Sequence, residues 1–254
     1  MADIQIKNKR IAAPKWEEPA ERLVLYADIM GFKSRVMDNS HEVLRNDIRR
    51  FRNDWETRMK PFLKADHLRY VQFSDSILIV VNGVDDKMFN LITKAAFCLM
   101  HTAISNRFPL KGVITQGTFT YDKSRELYFG RPLVDAALLH DEIKYYGIVV
   151  HNSAEATVKA KGSLENRYCK SEIPLDKGSA SHFHLAWNLV NQKYKSEDIT
   201  DTCNLWLDVI EEQVSGKPRT YIDNTRKVFS QYFTGSRALR MNSMKQSIKD
   251  AIYL

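Results

Sequence analysis

Hydrophobic and polar positions along the chain switch repeatedly between two periods. Residues 22 to 36, RLVLYADIMGFKSRV, open with the apolar run Val24, Leu25, Tyr26 and Ala27, which reads as a strand buried on both faces and ending at Asp28. Leu44, Ile48, Phe51, Trp55 and Met59 recur at steps of three and four and mark one face of a helix over 39 to 63. Asn39 with Glu42 reads as its cap pair and Pro61 as its exit. Residues 67 to 83 contain two β-rich runs around Ser74-Asp75-Ser76, a hairpin with an aspartate at its tip. Phe89, Ile92, Ala96 and Leu99 predict a second long helix over 85 to 107. Strands over 110 to 122 and 126 to 130 follow, then a helix over 131 to 146 with Pro132 in its first turn. A short strand at 147 to 151, a short helix, and two strands around a Lys-Gly turn within 165 to 189 complete this part. Beyond Trp187 the pattern becomes that of amphipathic helices, with Trp206, Val209 and Ile210 implying a packed face.

Hairpins and crossover helices together predict an α/β (α+β) fold, a mixed sheet with helices packed on it. The expected organisation is an irregular arm over 1–20, a catalytic domain over 21–189 and a helical extension over 190–254.

Composition narrows the class. With 254 residues, 44% hydrophobic and 27% charged, the chain resembles an ordinary globular protein with a full core. Three widely spaced cysteines, Cys98, Cys169 and Cys203, form neither a disulfide framework nor a zinc pattern, so a cytoplasmic location is expected. No apolar run approaches the roughly 20 residues of a membrane helix, and the N-terminus lacks the apolar core of a signal peptide. The formal charge of +7 favours an anionic ligand, although Lys-rich solvated faces give the same excess.

The chemistry concentrates on Asp28 and Asp75. Consecutive strands tend to be neighbours, which would bring both carboxylates to one edge of the sheet. Two bare carboxylates at close range repel, whereas two carboxylates with divalent cations form the usual device for in-line phosphoryl displacement. Hard cations take oxygen ligands, and Gly31 after Asp28 would let backbone amides approach phosphate. Taken singly, each aspartate has an ordinary structural reading as a helix cap or a turn residue.

VLYADIMGF followed by VQFSDSILIVV resembles the class III nucleotidyl cyclases, whose metal-binding core reads roughly D-I-x-G-F and then G-D-S/A. The 47 residues between the two aspartates fit that family, and LKGVITQGTFT, LYFGRPLVDAALL and IVVHNSAEATV resemble its later elements. The resemblance spans about residues 20 to 187. It implies a mixed sheet with a ferredoxin-like βαββαβ core, and a homodimer with active sites at the interface. It further implies that Asp28, the Ile29 carbonyl and Asp75 bind two Mg²⁺ or Mn²⁺ ions, that Gly31 and Phe32 lie against the triphosphate, and that Lys177 is a phosphate-binding lysine.

Departures from the family pattern bear on the base. The two purine-reading positions hold Val71 and Leu127, and the positions of the helix Asn and Arg that steady the transition state hold Val134 and Leu138. A site without hydrogen-bonding groups for a base cannot discriminate it in the same way. Arg69 shares a strand face with Val71 and is a candidate base reader. Arg131, one turn before Val134, is a candidate source of the lost positive charge. These departures resemble the bacterial pyrimidine cyclases of anti-phage defence. That likeness implies UTP or CTP as substrate, with UTP the first choice as the commoner branch, cyclic UMP or cyclic CMP as product, and a separate effector protein that senses it.

Other readings remain at this point: a cytidylate cyclase, a purine cyclase with altered readers, and a degenerate nucleotide-binding module. A basic nucleic-acid-binding module has only net charge behind it. His182 and His184 share a strand face without an acidic or cysteine partner and read as structural.

Overall fold

In the computed structural model, which describes residues 15–63, 66–161, 167–192, 195–198 and 200–231, the first strand β1 (Ala20–Ile29) is central. It is flanked on one side by β3 (Ser76–Val81) and on the other by β4 (Leu110–Asp122), both antiparallel. That placement explains the apolar run: Leu23, Val24, Leu25 and Ala27 are buried on alternating faces of a covered strand. β2 (Leu68–Phe73) pairs with β3 as the predicted hairpin, with Ser74 and Asp75 as its turn. Strand order β4-β1-β3-β2 is the ferredoxin-like arrangement that the family resemblance implies. β6 (Ile148–Val150) joins β4 as a parallel neighbour, followed by β8 (Ser179–Leu185) and β7 (Tyr168–Pro174), while β5 (Leu127–Gly130) pairs the far end of β4.

Helices cover both faces. α2 (His41–Met59) buries Leu44, Phe51, Trp55 and Met59 of the predicted stripe, with Ile48 partly buried. Its cap differs from expectation: Ser40 accepts from the Val43 amide, and Asn39 instead closes a short α1 (Phe32–Asp38) that the sequence reading did not resolve. Ser and Asn are near-equal caps, so the shift by one residue follows from where α1 ends. α3 (Asp86–Ser105), capped by Asp85 on the Met88 amide, fills the main core with Phe89, Ile92, Ala96 and Leu99. α4 (Arg131–Glu142) is shorter than the predicted 131–146, because Ile143 turns extended and bridges Leu175. Tyr145 and Tyr146 are buried in the following loop, where they pack into the main core. α5 (Asn152–Lys161) follows β6. A second, smaller core on the opposite face gathers Trp16, Val24, Leu78, Val80, Phe119 and Tyr121.

A two-stranded ribbon, β9 (Leu189–Gln192) with β10 (Lys195–Asp198), precedes α6 (Thr200–Glu211) and was not expected from the sequence. α6 and a helix over 217–231, α7, pack on the main core through Cys203, Leu207, Ile210, Ile222 and Phe229. Gln231 donates to the Glu172 carbonyl at 3.0 Å and accepts from its amide at 2.8 Å, so its side chain pairs with the edge strand β7.

Several histidines are held neutral inside this fold. Burial lowers the pKa of His184 to about 4, and burial with the nearby Lys111 charge lowers that of His140 to about 4. The unfolded chain protonates these imidazoles below about pH 6.5, while the folded chain resists until near pH 4. Stability is therefore full above pH 6.5 and falls as pH drops towards 4. Urea unfolding at pH 7 and pH 5 is expected to differ by about 2 kcal/mol for each such histidine, and equal stability at the two pH values would contradict this account.

Candidate active site

The β1–β3 register places Asp28 opposite Ser76, and the Ile29 amide donates to the Asp75 carbonyl at 3.0 Å. The two aspartates expected to meet therefore sit side by side at the C-terminal end of β1. Asp28 and Asp75 are both half-buried. The Asp28 carboxyl is pushed above its ordinary range, first by burial and then by the negative charge of Asp75. Ser76 Oγ donates to Asp28 Oδ1 at 3.1 Å, which partly offsets that rise.

Backbone geometry beyond Asp28 is equally specific. The Met30 amide donates to the Pro109 carbonyl at 2.7 Å, and Gly31 adopts φ 73° at the start of α1. A side chain there would be strained in the left-handed region even though no atom stands in its way. Phe32 is half-buried against the main core, so the Gly-Phe pair anchors the turn as well as presenting its backbone. Gly112 performs a different service, since a Cβ there would lie 2.9 Å from the Tyr26 carbonyl oxygen. Its absence lets β4 close on β1 beside Asp28.

That closure brings in Lys111, a residue the sequence reading did not single out. Lys111 is the β4 partner of Asp28 in register and is almost fully buried. Its Nζ donates to the carbonyls of His140 at 2.7 Å and Ile143 at 3.3 Å, at the end of α4. Burial, then the like charge of Lys144, lowers its pKa to about 8, and Asp141 and Asp28 act in the opposite sense. The signal in the sequence was available only with the β1–β4 register in hand.

Other predicted residues are dispersed. Val71 faces Leu78 across the hairpin and packs on the smaller core. Arg69 lies on the same face, where Asp66 holds its guanidinium through two hydrogen bonds of 3.1 Å and Trp16 stacks beneath it. Leu127 is exposed at the start of β5. Lys177 is exposed in the β7–β8 turn, with β4 and β6 between β8 and β1 in the sheet. Arg131, its side chain 88% exposed, pairs with Asp135 at 3.4 Å and lines a cleft of about 480 Å³ with Glu21, Gln116 and Thr118. Glu21 and Asp28 are seven residues apart on β1, so this cleft lies roughly 23 Å along the strand from Asp28. Among the described residues, Lys111 rather than Arg131 is a cation beside Asp28 within the same chain.

The donor set fits a hard divalent cation. The Asp28 carboxyl, raised by burial and by the charge of Asp75, gains from a cation beside it, and carboxylate and carbonyl oxygens are the ligands on offer. Among the described residues no cluster of three or more His, Cys, Asp or Glu side chains forms, so Asp28 and Asp75 would need the Ile29 carbonyl, water or phosphate to complete a coordination shell. No helix among the described residues is long and apolar enough to cross a membrane.

No protein-family model matches the chain, and no curated protein matches its sequence. Solved structures do match the fold. One is the catalytic core of a rhodopsin–guanylyl cyclase with converted specificity in complex with ATPαS, at TM-score 0.51 and 14% identity, covering 66% of this chain and 97% of that one. Another is the monomeric guanylyl cyclase domain of a rhodopsin fusion protein from the aquatic fungus Blastocladiella emersonii, at TM-score 0.52 and 14% identity, covering 66% and 98%. A dimeric form of that fungal domain, described as non-canonical, matches at TM-score 0.52 and 13% identity, covering 66% and 98%. The chain has the fold of the class III nucleotidyl cyclase domains.

Proposed function

We propose that the protein is a nucleotide cyclase that converts UTP into 3′,5′-cyclic UMP and pyrophosphate. The observation carrying this reading is the pairing of Asp28 with Ser76, which sets Asp28 and Asp75 together at the end of β1 in a cyclase fold. Asp28, Asp75 and the Ile29 carbonyl would hold Mg²⁺ or Mn²⁺, which when bound neutralises phosphate charge and acidifies the attacking hydroxyl. The backbone at Gly31 and Phe32 borders the triphosphate. Lys111, cationic below about pH 8, supplies fixed positive charge beside Asp28. In the reaction the ribose 3′-oxygen forms a bond to the α-phosphorus, the bond from that phosphorus to the bridging oxygen breaks, and pyrophosphate leaves with the electron pair. The hydroxyl proton passes to solvent. Positioning supplies much of the acceleration, because nucleophile and electrophile belong to one molecule.

The pyrimidine assignment rests on what the purine-reading positions hold. Val71 is committed to an apolar cluster and Leu127 offers no donor or acceptor. Incubation with Mn²⁺ and an equimolar mixture of the four ribonucleoside triphosphates, read by mass spectrometry, is expected to give cyclic UMP as the main product. Cyclic AMP or cyclic GMP as the main product would overturn the pyrimidine reading, while cyclic CMP would reassign the base within it. In cells the product acts in the cytoplasm as a signal of phage infection read by a separate effector.

The active unit is a homodimer in which α4 of one copy faces the aspartates of the other. Val134 and Leu138, four residues apart on one helix face, are exposed, as are Phe129 on β5 and Phe73, 82% exposed, on β2. This arrangement would let Arg131 and Lys177 approach the partner's phosphates, which neither reaches within its own chain. Leu138→Asp is expected to yield a folded monomer by light scattering, with turnover reduced about 10-fold or more. A fully active dimer would contradict this.

A further inference from the structure

A carboxylate at the end of a strand can rotate about its side-chain bonds, and a cation site needs one that does not. Asp28 is restrained by two hydroxyls. Ser76, its partner across β3, donates from Oγ to Asp28 Oδ1 at 3.1 Å. Tyr26, two residues before Asp28 and on the same face of β1, has its phenol oxygen 3.2 Å from the same Ser76 Oγ. Each hydroxyl has one proton to give. An ionised carboxylate only accepts, so the Ser76 proton is committed to Asp28, and Tyr26 must be the donor to Ser76.

We propose that Tyr26 and Ser76 are positioning residues, forming a directed chain from the Tyr26 hydroxyl through Ser76 Oγ to Asp28 Oδ1 that leaves Oδ2 facing the cation. This rests on the metal-binding reading of the aspartates. Tyr26 is itself fixed: its ring meets that of His140 edge-on at 5.3 Å, and the His140 carbonyl is held by Lys111. The hydroxyl chain therefore ties the orientation of Asp28 to the end of α4, and neither hydroxyl touches the reacting atoms. Ser76 occupies the oxygen that would otherwise compete for the cation or turn towards solvent, and Tyr26 polarises the Ser76 hydroxyl so that it donates more strongly.

The test is Mn²⁺ binding, followed by electron paramagnetic resonance on the full chain, with turnover measured in parallel. Wild type, Asp28→Asn, Ser76→Ala, Ser76→Thr, Tyr26→Phe and the Tyr26→Phe/Ser76→Ala double variant are compared. Outer-shell partners of metal ligands are worth about 10–100-fold in affinity or activity. Ser76→Ala is therefore expected to weaken Mn²⁺ binding by about 10-fold or more, and Tyr26→Phe by less. Ser76→Thr, which keeps the hydroxyl, is expected to restore binding. Because Tyr26 acts only through Ser76, adding Tyr26→Phe to Ser76→Ala is expected to change nothing further. Urea unfolding of the metal-free variants confirms that each compared protein is folded. Wild-type binding that is lost in Asp28→Asn but untouched by Ser76→Ala overturns the hydroxyl chain alone. Independent, multiplicative losses from the two variants overturn it as well. If the wild type binds no Mn²⁺, or Asp28→Asn binds as well as wild type, the metal reading itself fails and the chain falls with it.

Discussion

Asp28→Ala and Asp75→Ala are each expected to lower cyclic nucleotide formation by on the order of 10³-fold or more, while the protein stays folded. The two halves of that result have one cause. Asp28 has its carboxyl pushed above the ordinary range by burial and by Asp75. A raised acid stabilises the fold below the ordinary carboxylate range, and that contribution is lost as pH rises through the raised value. At neutral pH the ionised Asp28 therefore opposes folding, and its removal leaves the metal-free protein equally stable or more so. Sites held for function at the expense of stability behave in this way. Mn²⁺ is expected to raise the Tm of the wild type by mass action and to leave that of either variant unchanged. Thermal unfolding with and without Mn²⁺, beside the product assay, checks all three statements. A variant with wild-type turnover would remove the two-aspartate site from the account.

The largest expected loss of stability lies at the other end of β1. Arg22 is fully buried. Its guanidinium donates to Asn82 Oδ1 at 3.2 Å, to the Phe119 carbonyl and to the Lys15 carbonyl at 2.8 Å, and it stacks on Trp16 with 5.1 Å to the ring centroid. One side chain thus fastens the segment entering β1 to the β4 edge and holds Trp16 over the smaller core. Burial lowers its pKa from the ordinary arginine value, the cost of keeping the charge inside. Arg22→Ala leaves several buried acceptors unpaired and opens a cavity, and is expected to destabilise by about 3–5 kcal/mol. For a chain of this size that corresponds to a fall in Tm on the order of 10 °C. Arg22→Lys recovers one of the three hydrogen bonds at best, since an ammonium cannot reproduce the fork. Arg22→Ala with unchanged urea stability would contradict this reading of the smaller core.

Much of the fold was legible because its elements carry strong periods. The α2 and α3 stripes and the 67–83 hairpin appear where the pattern put them, and the ferredoxin-like strand order is the one the family resemblance implies. What escaped was short or cooperative. α1 has seven residues and no buried side chain, so it offers no stripe to read. The β9–β10 ribbon is four residues a side. α4 stops early because Ile143 bridges Leu175, a contact no local pattern contains.

The site divides along the same line. Asp28 and Asp75 could be paired from the sequence because each ends or turns a recognisable strand. Lys111 and Ser76 could not, because their meaning depends on register: each is the residue opposite Asp28 on one of its two neighbouring strands. Arg69 shares a face with Val71, as the period of two predicts, but Asp66 and Trp16 already engage its guanidinium. Arg131 has the charge the site calls for, but the run of α4 along β4 carries it to the end of the sheet away from Asp28 in its own chain.

We propose that this chain uses two aspartates and divalent metal to cyclise a nucleoside triphosphate. Purified protein, confirmed as a dimer, is incubated with Mn²⁺ and UTP labelled at the α-phosphorus, with and without a chelator. Labelled 3′,5′-cyclic UMP is expected, with one pyrophosphate for each molecule of it, and both are expected to be lost on chelation. A cyclic product that persists in chelator, or no cyclic product from UTP or any other triphosphate, would contradict it.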